Sequence, residues 1–254
     1  MNNVESDIAQ VFESWGFQCI RIKEGSDKRP DFFLSDEHER YYVELKTKYE
    51  SPERSRIRQD SLRSGQIYVD SLGLHATAAY RSILKKAYEQ LALSSYCESE
   101  PLRIPWLLCL GQQASTDVKR FTNILFGTAY VADFSDDGEA RPCHYFYESL
   151  FFKYRESIDA AIVSTESQIS ICLNSYSPRY SRAKSCGLTG ILASGLRDPC
   201  SLEKAGEAWI ADMIGNRKDV SVTLNAVVKK YGLSQLTRVI EMEDLTASIQ
   251  IDAI

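Results

Sequence analysis

Asp31, Glu44 and Lys46 are the side chains whose types and spacing could do chemistry, and they lie within "RPDFFLSDEHERYYVELKTK", which begins at Arg29. "DFFL" reads as a short apolar strand, "SDEHE" as a polar hairpin loop and "RYYVELKTK" as a longer strand. Side chains alternate faces along a strand, so Tyr42, Glu44 and Lys46 share one side, while Tyr41, Val43 and Leu45 form an apolar side suited to a core. The loop is short enough to make the two strands antiparallel neighbours, which brings Asp31 near Glu44. Two close carboxylates repel unless a cation lies between them. Oxygen ligands of this kind suit Mg²⁺ or Mn²⁺, and the backbone carbonyl of Leu45 is a candidate to complete the shell. Such a cation neutralises charge on a phosphodiester and lowers the pKa of a bound water. Lys46 would orient or help deprotonate that water, or steady the developing negative charge. The same Glu-x-Lys alternation also suits an ion pair on a solvated sheet face, and bare spacing does not choose between the two.

The elements that must hold these groups follow from the flanking pattern. Residues 3–15 read as a helix, with Val4, Ile8, Val11, Phe12 and Trp15 on one face and Gly16 as the stop signal. "FQCIRI" alternates as a strand does, and "KEGSDKRP" is a turn. "SPERSRIRQDSLRSG" is polar and basic and suits either a helix or a loop. Further on, "ATAAYRSILKKAYEQLALS" reads as a helix, "IPWLLCLG" as a buried strand, "DVKRFTNILFGTA" as a helix and "SDDGEARP" as a turn. "IDAAIVSTESQISICLN" reads as two strands joined by a polar turn. This α-β-β-β-α-β-α-β-β order predicts an α/β sandwich with a mixed sheet and helices on both faces. Residues 1–180 are then one domain, and 181–254 a linker, "SRAKSCGLTGILASGLRDP", with a small helical C-terminal extension at 201–214 and 221–240. "TLNAVVKKYGLSQLTRVI" has the length of a helix-turn-helix with Gly232 at its turn, although most such pairs pack or dimerise rather than read DNA.

Composition bounds the function. The chain has 254 residues, 44% apolar and 11% aromatic, enough for a sizeable core. No run of 18 apolar residues implies a membrane span, and the acidic, amphipathic start lacks the pattern of a secretory signal. Seven cysteines without a C-x-x-C pair predict reduced thiols in a cytoplasmic protein. A net charge of -5 argues against a general nucleic-acid coat protein but not against a local basic groove. Phosphate-loop and dinucleotide motifs are missing from the sequence, and His38, His75 and His144 lack zinc-ligand spacing.

Taken together, "RPDFF…YYVELKTK" resembles the PD-(D/E)xK, or restriction-endonuclease-like, nuclease superfamily. More narrowly, "ESDIAQVFESWGFQCIRIKEGSDKRPDFFL…YYVELKTK" is similar to the opening of archaeal-type Holliday junction resolvases. The likeness covers about the first 50 residues; the chain is longer than a bare resolvase, so junction specificity is not carried over. The resemblance implies a three-layer sandwich with a central mixed β-sheet flanked by helices, Mg²⁺ dependence and cleavage of nucleic acid. Its acidic pair falls on Asp31 and Glu44 and its lysine on Lys46. It also implies a helical glutamate. At about 100° per residue Glu5 lies roughly 75° from the centre of the apolar stripe, whereas Glu13 points almost opposite, so Glu5 is the expected metal or water ligand. A first-turn glutamate favoured by the helix dipole is the other reading. Related nucleases place a polar residue of the later helix toward the catalytic centre, which selects Lys86 and Gln90; ordinary solvated polarity is the plainer alternative.

A nucleic-acid substrate needs cations on its phosphates. Lys48, Arg54, Arg56 and Arg58 follow the site directly, Arg179, Arg182 and Lys184 lie further on, and Tyr49 and Tyr68 are candidates for base stacking. Ser26 and Asp27 precede Asp31 and either touch a phosphate or make the turn. The expectation is a metal-dependent endonuclease acting on DNA in prokaryotic antiviral defence, repair or mobile-element processing, as a homodimer or with a helicase, ATPase or sensor partner. The alternative is a nucleic-acid-binding or scaffolding subunit whose cutting a partner protein licenses.

Overall fold

The structure is a computed structural model that describes residues 4–22, 29–74, 78–92, 100–135, 138–213 and 217–248. Ser26, Asp27, His75 and Cys97 lie outside the described residues. Helix α1 (Val4–Ser14) leads into β1 (Gln18–Arg21), β2 (Phe32–Ser35) and β3 (Arg40–Tyr49). Then come α2 (Pro52–Arg63), β4 (Tyr68–Gly73), α3 (Ala78–Ala92), β5 (Leu102–Leu110) and α4 (Ala114–Phe126). β6 (Ala129–Asp133), β7 (Arg141–His144), α5 (Leu150–Lys153), β8 (Ala160–Ser164) and β9 (Ile169–Leu173) follow. The last part holds α6 (Tyr180–Ser185), α7 (Gly187–Ile191), β10 (Leu196–Arg197), α8 (Pro199–Lys204), β11 (Trp209–Ile210), α9 (Val220–Tyr231), β12 (Thr237–Ile240) and β13 (Glu243–Ser248).

The central sheet has seven strands in the order β1-β2-β3-β5-β8-β9-β10. It is mixed: β1, β2 and β3 form an antiparallel meander, β3, β5 and β8 run parallel, and β9 returns antiparallel. Helices cover both faces, as the α/β sandwich expectation required. Ile8 and Phe12 of α1 pack with Tyr41, Val43 and Leu45, and this face continues to Ala183 of α6 and Leu188 of α7. On the opposite face Tyr80 and Leu84 of α3, Phe121 and Leu125 of α4 and Phe151 of α5 pack with Leu107, Cys109 and Val163. β3 pays for neither face with a polar gap in its core-facing row: Tyr41 and Val43 are fully buried. Phe12 anchors the first layer through edge contacts with Phe17, Phe32 and Trp106, the last at 5.2 Å between ring centroids.

Three expectations are corrected. The Ser- and Gly-rich stretch expected as a linker folds into α6, α7 and β10; Leu188 and Leu192 are buried in the core, and β10 pairs with β9 as an edge of the central sheet. Small residues there permit close packing: a Cβ on Gly187 would approach Asp36 Oδ2 to 2.7 Å. Residues 201–214 are not one helix, because α8 ends at Lys204 and β11 follows. The second half of the presumed helix-turn-helix is a strand. α9 stops where Gly232 adopts a left-handed conformation (φ +66°), and β12 pairs antiparallel with β6. Together β11, β7, β6 and β12 form a second, four-stranded sheet, and β13 pairs with β4 in a separate ribbon. Among the described residues no helix is long and apolar enough to cross a membrane, and the six described cysteines are free thiols.

Loss of the Phe12 ring opens a large cavity in the first layer. Phe12→Ala should lower the unfolding free energy by about 3–5 kcal/mol, read from urea unfolding. Ile20→Ala, at a side chain 60% exposed, should stay within about 0.5 kcal/mol of the parent. Equal shifts in the two variants would contradict this packing.

Candidate active site

The register of β2 on β3 assembles the acidic pair. Phe32 lies across from Val43 and Phe33 across from Tyr42, so the next rung places Asp31 across from Glu44 on one face. Backbone bonds fix that rung: Ile22 N–H donates to the Asp31 carbonyl at 2.8 Å, and Leu45 N–H donates to Asp31 Oδ2 at 2.8 Å. One carboxylate oxygen of Asp31 is thus held against β3 beside Glu44. The Leu45 side chain is buried in the first core, so Leu45 offers this site its backbone, and that backbone already orients Asp31.

Glu44 is fully buried. Its Oε1 accepts from Lys46 Nζ, two residues along the same face. Its Oε2 is buried without a hydrogen-bond partner among the described residues. Burial pushes the Glu44 carboxyl up to about 8, and the Asp31 carboxylate adds to the rise; Lys46 opposes it through its hydrogen bond and its charge. A buried carboxylate with one oxygen unmatched and a second carboxylate beside it is expensive when ionised. A hard cation relieves both costs, so the donor set fits Mg²⁺ or Mn²⁺: oxygen atoms only, one of them orphaned. Asp31 and Glu44 would hold it. Among the described residues no group of three or more His, Cys, Asp or Glu side chains gathers as a metal site. Among the described residues, two carboxylates meet here.

Glu5 does not join them. Its Oε2 pairs with Arg21 at the end of β1, both side chains being partly exposed. The helix angle selected Glu5 as a ligand, whereas its described partner is Arg21. Gln90 of α3 behaves as expected of an inward polar residue: its Nε2 donates to the Arg29 carbonyl at 3.2 Å, tying α3 to the chain just ahead of Asp31. Lys86 is exposed on the same helix.

The basic stretch after β3 is mostly spoken for. Arg58 is buried and forks onto both carboxylate oxygens of Glu50. Arg54 pairs with Asp70 at 3.2 Å, and Tyr68 and Gln113 also donate to that carboxylate. Lys48 donates to its neighbour's carbonyl and sits 5.8 Å from the Tyr80 ring centre. Arg54 and Arg58, expected on phosphate, are thus engaged in ion pairs with Asp70 and Glu50, while Arg56 is exposed. Arg179 is buried against Asp159, Arg182 pairs with Glu39 and Lys184 with Asp198, so these three also serve the fold. Tyr49 is 59% exposed and free to meet solvent.

Sequence reading missed a buried polar cluster on the same sheet face beyond Lys46. Tyr80 of α3 donates to Asp117 of α4, and Arg120 reaches both the Tyr80 hydroxyl at 3.2 Å and the Gly73 carbonyl at 2.8 Å. Burial raises the Asp117 carboxyl, against the Tyr80 hydrogen bond and the Lys48 charge. A helix residue such as Asp117 carries no spacing signal; only the packing of α3 on α4 reveals it. His144 is buried with its pKa lowered to about 4 by burial, hence neutral, and its Nδ1 lies 3.0 Å from Thr128 Oγ1.

The raised Glu44 pKa has a sign. The folded protein holds this proton more tightly than the unfolded chain, so stability falls as pH rises between 4.5 and about 8. In EDTA the slope should approach about 1.4 kcal/mol per pH unit within that window. Glu44→Gln should flatten it and be the more stable form at the alkaline end, by chemical denaturation across pH. Parallel profiles for the two proteins would contradict the burial of an ionisable Glu44.

No protein-family model, curated protein or solved structure matches the chain.

Proposed function

We propose that the protein is a divalent-metal-dependent phosphodiester hydrolase acting on nucleic acid, with DNA the expected substrate. The observation that carries this reading is the buried Glu44 carboxylate, one oxygen on Lys46 and the other unmatched, across one rung from Asp31. The orphaned oxygen of Glu44 sets this pair apart from a plain structural ion pair. The finer fold reading, a restriction-endonuclease-like core, is supported by the meander β1-β2-β3 followed by parallel β5, with α1 and α3 on opposite faces.

In this reading Asp31 and Glu44 hold Mg²⁺ or Mn²⁺, which when bound supplies charge neutralisation at the phosphate and a more acidic water. The chain's own residues do the rest. Leu45 N–H keeps Asp31 aimed along the rung. Lys46 exchanges its bond to Glu44 for one to the attacking water or the phosphate oxygen, and its position on the same face sets that reach. Gln90 steadies the segment ahead of Asp31. Exposed Arg56 and Lys86 remain as candidates for backbone phosphates.

The second reading is a binding subunit whose cutting is licensed by a helicase, ATPase or sensor partner, or by pairing of two copies. It is favoured by how many of the basic side chains near the site are already internally paired, which leaves the isolated chain few phosphate contacts.

Purified protein should cut plasmid, linear or single-stranded DNA with Mg²⁺ or Mn²⁺ and not in EDTA, with RNA as the comparison substrate. Glu44→Ala and Lys46→Ala should each reduce the rate by about 100-fold or more. Binding without metal-dependent cutting would support the subunit reading. Neither binding nor cutting, with the variants altered only in melting temperature, would overturn both.

A further inference from the structure

A second charged site lies away from Asp31 and Glu44, at the other end of α3. A cleft of about 410 Å³ opens between α3, α5 and the segment before α9, and five of its nine lining residues are Lys or Arg: Arg81, Lys153, Arg155, Arg217 and Lys218. The carboxylate lining it is Glu148, which pairs with Arg81 at 2.7 Å. Glu148 holds a left-handed backbone (φ 43°) that a side-chain-bearing residue adopts at a cost.

Arg217 is the unusual member. It is only 6% exposed, yet among the described residues no carboxylate forms an ion pair with it. Its Nη1 donates to the Tyr145 and Ala211 carbonyls, and its Nη2 to the Met213 carbonyl at 2.8 Å and the Tyr176 hydroxyl at 3.2 Å. Its Nε is buried without a partner. The guanidinium lies 4.2 Å from the Phe152 ring centre, and that of Arg155 lies 4.9 Å from the same ring. Buried charges are normally matched by an opposite charge. Here most of the charged residues lining the cleft are of the same sign, and carbonyl dipoles, the Tyr176 hydroxyl and the Phe152 ring offset the charge in place of a carboxylate. Arg155 does touch Glu156 at 3.6 Å, but both are exposed and such a contact is weak.

We infer that this cleft binds a phosphate-bearing anion, with Arg217 as its fixed floor and Lys153, Arg155 and Arg81 as its movable walls. A smaller cleft of about 260 Å³ shares Arg81 and Glu148 with the first and extends the lining to Asn123, Thr128 and Tyr147. That extension gives room and polar contacts for the rest of a nucleotide, so the anion is either a free nucleotide or the backbone of a nucleic acid. In both cases the charge-assisted bonds fall on the phosphoryl oxygens. The inference stands apart from the hydrolase reading, because none of these residues belongs to the Asp31–Glu44 rung.

The test uses the full chain in EDTA, so that no metal bridges a ligand to Glu44. Inorganic pyrophosphate, ADP and a short single-stranded oligonucleotide are titrated calorimetrically. Pyrophosphate should bind, and the double substitution Lys153→Ala with Arg155→Ala, both at exposed positions, should weaken it about tenfold or more. Glu148→Gln should tighten it, an outcome that damage to folding would not give. ADP binding tighter than pyrophosphate identifies a free nucleotide; binding of the oligonucleotide alone, lost in the double variant, identifies backbone phosphate. No binding by any of the three, or binding unchanged in the double variant, overturns the inference and leaves Arg217 as a clamp on its surrounding carbonyls.

Discussion

The site depends on one constraint: β2 and β3 must pair so that Asp31 and Glu44 share a rung on the same face. A slip by one residue would turn Glu44 into the first core and Val43 out of it, so the register that buries Tyr41 and Val43 beneath α1 also fixes the carboxylates. Phe12, packed on Phe32 and Trp106, holds that layer from outside. The core packing on one face of β3 and the carboxylate pair on the other are therefore set by the same hydrogen-bond ladder. The energetic tension is concentrated at Glu44, where burial and the neighbouring Asp31 carboxylate both disfavour the charged form and Lys46 alone favours it among the side chains.

What could be read in advance was what depends on local period and type. Strand alternation separated the Tyr41–Val43–Leu45 row from the Tyr42–Glu44–Lys46 row, and the short loop made β2 and β3 neighbours. The α1 stripe and the apolar run of β5 were equally legible, because each is defined by residues close in sequence. Partners chosen over long separations were not. Glu5 finds Arg21 rather than Asp31 because the residue at the end of β1 intercepts it, a fact that a helical angle does not contain. The basic residues that follow β3 are in part taken up within the fold, because Glu50 and Asp70 come to lie beside Arg58 and Arg54.

The C-terminal part shows the same limit from another side. Its Ser and Gly content suggested a linker, yet Ala183, Leu188 and Leu192 complete the first core, and small residues let the chain pass close to the hairpin loop at Asp36. β12 follows a helix whose Gly232 cap looks like a turn between helices, and only its pairing with β6, about a hundred residues earlier, makes it a strand. These elements also carry the second charged cleft, since Arg217 sits between the end of β11 and the start of α9. The α3 helix borders both sites, with Arg81 at one and Gln90 at the other.

The most direct measurement is calorimetric titration of the protein with Mn²⁺ at neutral pH in buffers of different ionisation heat. A Glu44 carboxyl raised to about 8 is largely protonated there, so binding should be saturable and should release about one proton per cation. Asp31→Asn and Glu44→Gln should each weaken it strongly, the latter without proton release. The account is contradicted if the protein takes up no Mn²⁺, or takes it up equally well in both variants.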